Sequence, residues 1–283
     1  MKDSGDSQLG FHKSAALASR FTVLSETGST NDDAALAARD ADDPAPDFSV
    51  VVTTNQTRGR GRLGRAWVAT SGKMLASSVL LRPTALSSPD ALAWLPLLAG
   101  VAMARAIADE LARHPAEAGI EYSLAQPSVG LKWPNDVQID GYKVCGILTE
   151  LLPDVGAVVV GAGLNLTLDE HDLPTLTSTS LRLVTGVTPD ADEVLAGYLA
   201  QLRELTDRFH ACGGDAEASG GQEAVRALCT TLGQSVRVEL PADRELLGRA
   251  EDIGPRGELM VRDAEGTLHQ IAAGDVTHLR LNP

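Results

Sequence analysis

Two short stretches of this chain carry side chains whose types and spacing could do chemistry. Residues 58–65 read RGRGRLGR, with four arginines and three glycines in eight positions. Guanidinium groups grip carboxylates and phosphates through paired hydrogen bonds, and glycines let a backbone turn tightly. The stretch therefore reads as a flexible anion clamp, and Trp67 just beyond it offers a flat face for a planar ligand. The second stretch, KWPNDVQIDGYKVCGILTE at 132–150, contains an Asp140-Gly141 pair typical of a two-residue hairpin turn. That turn would pair Ile139 with Tyr142, Gln138 with Lys143 and Val137 with Val144. Cross-strand partners share a face, so Val137, Ile139, Tyr142 and Val144 should form an apolar face. Asp136, Gln138, Lys143 and Cys145 should lie on the other. Lys143 is thus displayed away from the expected core with Asp136 diagonal to it, and Gly146 marks a place where something approaches the strand closely. By itself, such a lysine reads more simply as an ordinary solvent-facing residue.

Other readings of the arginine stretch fare worse. Gly59-x-Gly61-x-x-Gly64 matches the dinucleotide-binding fingerprint, but that loop must open directly into a helix. Here RAWVATSGKMLASSVLL follows, which reads as loop and then strand. A nucleic-acid surface needs dispersed basic residues with stacking aromatics, whereas this chain has a formal net charge of −14 and 4% aromatic residues. Binding to nucleic acid or to an anionic membrane is not expected. Four neighbouring arginines repel one another without a partner, so residues 58–65 are expected to be mobile until an anion arrives.

No Ser-His-Asp or Cys-His set suggests an enzyme nucleophile. Cys145, Cys212 and Cys229 are odd in number and lack metal-ligand spacing, which predicts no protein metal ligands and a reducing compartment. The N-terminus has no apolar signal core. The longest apolar run, Ala91 to Ala104, has 14 residues, against the ~20 of a membrane span. A soluble cytoplasmic protein is expected.

The elements that must position these residues can be read coarsely. Residues 1–20 are small and polar and should be a frayed segment, too short for a DNA-binding helix-turn-helix domain. SETGSTNDDAALAARDA reads as a helix opening at Ser29 or Thr30, where simple capping would explain the pair. FSVVVTT, GKMLASSVLL and VGAVVVGAGLNL read as strands, and Leu95 to His114, Glu193 to His210 and the stretch near Gln222 to Leu232 as helices. From Ser235 onward, short apolar runs alternate with turn residues, the texture of a small β-barrel. The expected organisation is a flexible segment at 1–20, a catalytic domain at 21–233 and a small barrel domain at 234–283.

In order and spacing, these stretches resemble the biotin protein ligases. The resemblance rests on Ser29-Thr30-Asn31, Gln56 before GRGRLGR with Trp67, KWPND, KVCGILTE from Lys143 to Glu150, and GAGLN from Gly161 to Asn165. It covers the chain from about Phe21 to the terminal barrel. It implies an α+β fold with a mixed-sheet catalytic domain of the biotin/lipoate ligase type and a small C-terminal β-barrel. It implies a ligase that uses ATP and biotin as substrates, with Mg²⁺ accompanying ATP, to form biotinyl-5′-AMP. Biotin is then transferred to a lysine of a biotin carboxyl carrier protein. Lys143, Arg60 and Arg62 would carry the catalysis. Ser29, Thr30, Asn31, Gln56, Arg60, Gly61, Arg62, Lys143 and Gly146 would meet biotin. Arg62, Arg65, Trp67, Lys132, Asn135, Asp136, Lys143 and Asn165 would meet the nucleotide. The alternatives are a lipoate or octanoate ligase on the same fold, and a non-catalytic biotin-sensing regulator. The sequence leaves the oligomeric state open.

Overall fold

A computed structural model describes residues 10–68, 70–83, 89–114, 127–240, 244–272 and 274–279. Seven strands make one sheet: β1 (Arg20–Leu24), β2 (Ser49–Thr53), β5 (Met74–Leu81), β6 (Val129–Lys132), β7 (Asp136–Ile139), β8 (Tyr142–Leu152) and β9 (Ala157–Asn165). Their order is β1-β2-β5-β9-β8-β7-β6, parallel only between β1 and β2, so the sheet is mixed. A separate two-stranded ribbon pairs β3 (Gly59–Arg60) with β4 (Ala66–Trp67). The arginine stretch is therefore a small hairpin, and no helix follows it as a dinucleotide loop would require.

The helices divide the sheet's two faces between them. α3 (Leu95–Arg113) and α5 (Ala191–Ala211) pack together over one face, and α2 (Thr30–Ala38) covers part of the other. By length and composition the helical stretch Asp90–Arg113 could cross a membrane, but 72% of its apolar window is buried inside the protein, as befits a core helix. The first face supplies the main core, with Val137, Cys145, Ile147, Val160, Ala162 and Leu164 beneath α3 and α5. On the second face α2 sits over Val51, Leu80 and Val159, and its first turn reaches Gly161 through Asn31. α4 (Leu181–Thr185) and α6 (Gly221–Leu228) complete the helices of this part.

Residues 1–9 of the expected frayed segment lie outside the described residues, but the rest of that segment departs from the expectation. His12–Leu17 forms a helix, α1, against α5. Asp192 is the reason: its carboxylate accepts hydrogen bonds from the backbone of Lys13 and from both backbone and hydroxyl of Ser14. Small polar residues look frayed only if their distant acceptor is overlooked.

The C-terminal strands β10 (Ser235–Leu240), β11 (Arg244–Ile253), β12 (Leu259–Arg262), β13 (Leu268–Ile271) and β14 (Asp275–His278) form an antiparallel sheet in the order β13-β12-β11-β10-β14. This is the small C-terminal β domain expected from Ser235 onward, with β13 and β14 at the two ends of the described pairings. Trp133 joins the two parts, since its indole nitrogen donates to Gly257 O at 2.9 Å.

The hairpin at 136–152 is present, with one consequential difference. Ile139 pairs with Tyr142 and Gln138 with Lys143 as expected, but Val137 pairs with Cys145, not with Val144. The extra residue is a β-bulge, and a one-residue shift exchanges the faces beyond it. Cys145 accordingly lies in the core at 0% exposure, while Gly146 moves onto the face bearing Lys143 and Asp136. Tyr142, expected on the core face, is exposed at the turn.

Candidate functional site

The open part of the second sheet face forms the floor of a cavity of about 360 Å³, within the roughly 300–1,000 Å³ of small-ligand pockets. Cross-strand pairing aligns Ala76, Gly163, Gly146 and Asp136 in one row, and Ser78, Gly161 and Leu148 in the next. These rows contain glycines where neighbours press on the strand. A Cβ on Gly163 would stand 2.6 Å from Trp67 Cε2, and one on Gly161 would stand 2.2 Å from Asn31 Oδ1. Both glycines are thus required by close approach, the reason such residues occur inside strands.

One end of the cavity is neutral and rich in hydrogen-bonding groups. Ser29, Thr30 and Asn31 are buried at the start of α2. Simple capping does not account for them: Ser29 makes no side-chain cap bond. The Thr30 backbone N–H and hydroxyl both donate to Gln56 Oε1, at 2.9 and 3.2 Å. Ser78 bridges Thr30 Oγ1 at 2.7 Å and Asn31 Oδ1 at 2.6 Å. Asn31 Nδ2 donates to Glu150 at 2.6 Å. The amide of Asn31 is fully occupied by these partners, so it shapes this end of the cavity.

The other end is cationic. Lys143 Nζ lies 2.7 Å from Asp136 Oδ1 and 5.4 Å from the centre of the Trp67 ring. Among the described residues Arg62 reaches Asn135 Oδ1 and Gly274 O, each at 3.4 Å, and burial pushes its guanidinium below the usual arginine range. Two buried polar atoms here, Trp67 Nε1 and Asn165 Oδ1, have no hydrogen-bond partner. Unpaired buried polar atoms are costly, and these two line the cavity with Arg62 and Lys143. The combination suits an anionic ligand with further acceptor and donor groups.

The hairpin of arginines closes over this cavity, and its charges do not lack partners as expected. Arg60 makes a two-pronged pair with Asp32 at 2.8 and 2.7 Å and reaches Glu150 at 3.1 Å. The Asp32 hydrogen bond, with the Glu150 charge adding to it, raises Arg60 above its usual range, and the same bond holds the Asp32 carboxyl below its own. Arg65 pairs with Asp275 at the start of β14. The expectation that these arginines only repel until a ligand comes is corrected: carboxylates of the chain itself offset two of them.

Ser29, Thr30, Asn31, Gln56, Arg60, Gly61, Arg62, Arg65, Trp67, Asn135, Asp136, Lys143, Gly146 and Asn165 all line the one cavity. Lys132 does not; it ends β6 near His278, whose imidazole is pushed down to about 4 by burial and, secondarily, by the Lys132 charge. Sequence reasoning missed Ser78, Glu150, Asp32 and Asp275. A serine in an apolar strand and an acid at a strand's inner end were the available signals for the first two. The last two look like ordinary surface acids in the sequence.

Residues 25–165 match the biotin/lipoate A/B protein ligase family, and residues 231–279 match the biotin protein ligase C-terminal domain. A biotin–[acetyl-CoA-carboxylase] ligase of Mycobacterium tuberculosis is 36% identical over 258 residues, 91% of this chain and 88% of that protein. A solved structure of the Aquifex aeolicus biotin protein ligase in complex with biotin and ATP superimposes with a TM-score of 0.72. It is 25% identical and covers 93% of this chain and 100% of its own. A biotin protein ligase of Leishmania major in complex with biotinyl-5-AMP gives a TM-score of 0.58 at 25% identity, covering 90% and 99%.

Proposed function

The chain belongs to the biotin protein ligase family, and from that premise we propose how its residues share the work. It is an ATP-dependent ligase: biotin's carboxylate oxygen attacks the α-phosphorus of ATP, a P–O bond forms, and pyrophosphate leaves. A lysine amine of a carboxylase carrier protein then attacks the activated carbonyl, forming the amide, losing a proton and releasing AMP. The match of residues 231–279 to a biotin ligase C-terminal domain favours biotin over lipoate.

The observation that carries the assignment is the polarity of this cavity. The neutral end, with Ser29, Thr30 and Gln56, takes biotin's ureido group, and Asn31 holds that end in shape. The cationic end takes the phosphates. Lys143 stands between the two, where it can neutralise charge on both the attacking carboxylate and the α-phosphate. Arg62 is half-buried and makes no carboxylate ion pair among the described residues, and it supplies fixed positive charge to the developing oxyanion. Such preorganised charge is the main catalytic device available when the substrate itself is the nucleophile. Trp67, Asn135 and Asn165 position the nucleotide, and Arg65 approaches it from the rim. The hairpin excludes water from a hydrolytically labile adenylate.

Asp136 and Asp275 both line the cavity, and carboxylate oxygens suit a hard divalent cation. Magnesium carried in on ATP would supply charge neutralisation to the phosphates, with these carboxylates as the oxygen donors available to it. The reaction belongs in the cytoplasm, where ATP and newly made carrier protein occur together.

Biotin-dependent exchange between ATP and labelled pyrophosphate tests the reading. Exchange should require biotin and Mg²⁺ and fail with lipoate; equal exchange with lipoate would defeat the stated specificity.

A further inference from the structure

Glu150 has no place in the chemistry just described, yet it joins the two parts that must act together. It is the third residue in the site-face succession Gly146, Leu148, Glu150 along β8. Its Oε2 accepts from Asn31 Nδ2 at 2.6 Å, and its two oxygens accept from Arg60 Nη2 at 3.1 and 3.3 Å. Arg60 also grips Asp32, the residue after Asn31. The first turn of α2, the end of β8 and the arginine hairpin are thereby closed into one ring of contacts.

The plain alternative is a surface ion pair of small worth. Arg60 and Glu150 have side chains 41% and 35% exposed, and exposed pairs contribute little. Asn31 argues against that alternative. It is 5% exposed, and among the described residues its amide nitrogen has two acceptors, Glu150 at 2.6 Å and Leu148 O at 3.3 Å. If the hairpin swings away, Glu150 loses its arginine and is better solvated facing water. Asn31 then loses its closer acceptor, and the neutral end of the cavity loses its shape. The reverse also holds, because a coupling between two sites is reciprocal.

We infer that Glu150 is a positioning residue that ties the biotin end of the cavity, through Asn31, to the arginine hairpin, through Arg60. Biotin affinity and hairpin order depend on each other through this one carboxylate. The inference rests on the reading that the Ser29–Asn31 end takes biotin.

The test uses the full chain with Glu150→Ala and Glu150→Gln. The readouts are kcat and KM for biotin in pyrophosphate exchange, and the rate of tryptic cleavage within residues 58–65. Glu150→Ala removes both arms, so the biotin KM should rise about tenfold or more, as expected for a lost hydrogen bond to a charged group, and cleavage should quicken. Glu150→Gln keeps an acceptor for Asn31 but no charge for Arg60. Cleavage should quicken as in the alanine variant, while the biotin KM rises several-fold less. An alanine variant with wild-type biotin KM and wild-type cleavage would overturn the inference. So would one whose only changes are a lower kcat and a lower Tm, since that marks a structural role. Absence of biotin-dependent exchange in the wild type would instead sink the ligase reading, and this inference with it.

Discussion

Gly163→Ala asks whether Trp67 is where the nucleotide needs it. The indole lies over Gly163 because no side chain stands there: an added Cβ would be 2.6 Å from Cε2 and 2.8 Å from Cζ2 and Nε1. Carbon atoms in contact sit about 3.5–4.0 Å apart, so something must retreat by about 1 Å. The strand cannot, because Gly163 is paired on both sides, with Ala76 and with Gly146. Trp67 can, because it is half-buried and the cavity gives it room. Overpacking in a core costs about 1–3 kcal/mol, and with an escape route the low end applies, which corresponds to a fall of about 2–4 °C in Tm. The chemistry should suffer more, since a misplacement of about 1 Å costs on the order of a hundredfold in rate. We expect kcat/KM for ATP to fall ten- to a hundredfold (roughly, on that scale), with a smaller change for biotin. Trp94 and Trp133 are 1% and 2% exposed, so a shift in tryptophan emission would report Trp67 moving. A folded Gly163→Ala protein with wild-type ATP kinetics would refute the placement of Trp67 beside the nucleotide. Equal losses toward ATP and biotin would point to a distorted sheet.

Lys143→Ala should lower kcat for adenylate formation by about 10²–10³, the loss typical of one oxyanion-stabilising donor. Its thermal unfolding should stay near wild type, because Lys143 faces the cavity and its pair with Asp136 is partly exposed; wild-type exchange rates would reduce it to a surface lysine. Asp275→Asn should speed tryptic cleavage of the hairpin by releasing Arg65, with a stability change of about 0.2–1 kcal/mol, as for exposed pairs; cleavage at the wild-type rate would show that the C-terminal strand does not hold the hairpin. His278 is held neutral by burial, its pKa pushed down from 6.5 to about 4. The unfolded chain therefore takes up this proton first as pH falls, and stability is lost between about pH 6.5 and pH 4. His278→Gln should flatten that part of a Tm-against-pH curve relative to wild type; parallel curves would show that other groups account for it.

How far the site was legible depended on how local its determinants were. The Asp140-Gly141 turn was readable because the two residues dictate it themselves. The bulge beyond it was not, because distant partners set it. Asn135 exchanges two hydrogen bonds with Ile147, and Lys143 pairs through its backbone with Thr177 and Thr179. No spacing in 132–150 announces a segment some thirty residues away. The cost was specific: the expected register puts Cys145 on the site face, and the bulge turns it into the core. Ser78 escaped for another reason. β5 is buried on both faces, so alternation cannot show which serine points at the cavity. The main strands and helices were legible from their own apolar patterns, the mixed sheet only through the resemblance, whereas α1 depended on Asp192, far along the chain.

The hairpin's arginines, alike in sequence, are made unlike by their neighbours. Arg60 is bound by Asp32 and Glu150, and Arg65 by Asp275. Both pairs are solvent-exposed enough to open without a large penalty, so they set the hairpin's resting position and still let a phosphate compete. Arg62 differs in kind. It is more deeply buried and has only two long contacts to neutral oxygens. A half-buried cation so poorly compensated is costly in the empty cavity, and on the proposed reading an arriving phosphate would relieve that cost. The net charge of −14 bears on the same balance, because an acidic surface repels nucleotides in general. Attraction is then favoured where Arg62, which makes no carboxylate ion pair among the described residues, faces the cavity. On this argument the acidic surface and the arginine-rich hairpin are complementary: the first suppresses binding elsewhere, and the second makes the cavity the site where a phosphate is stabilised.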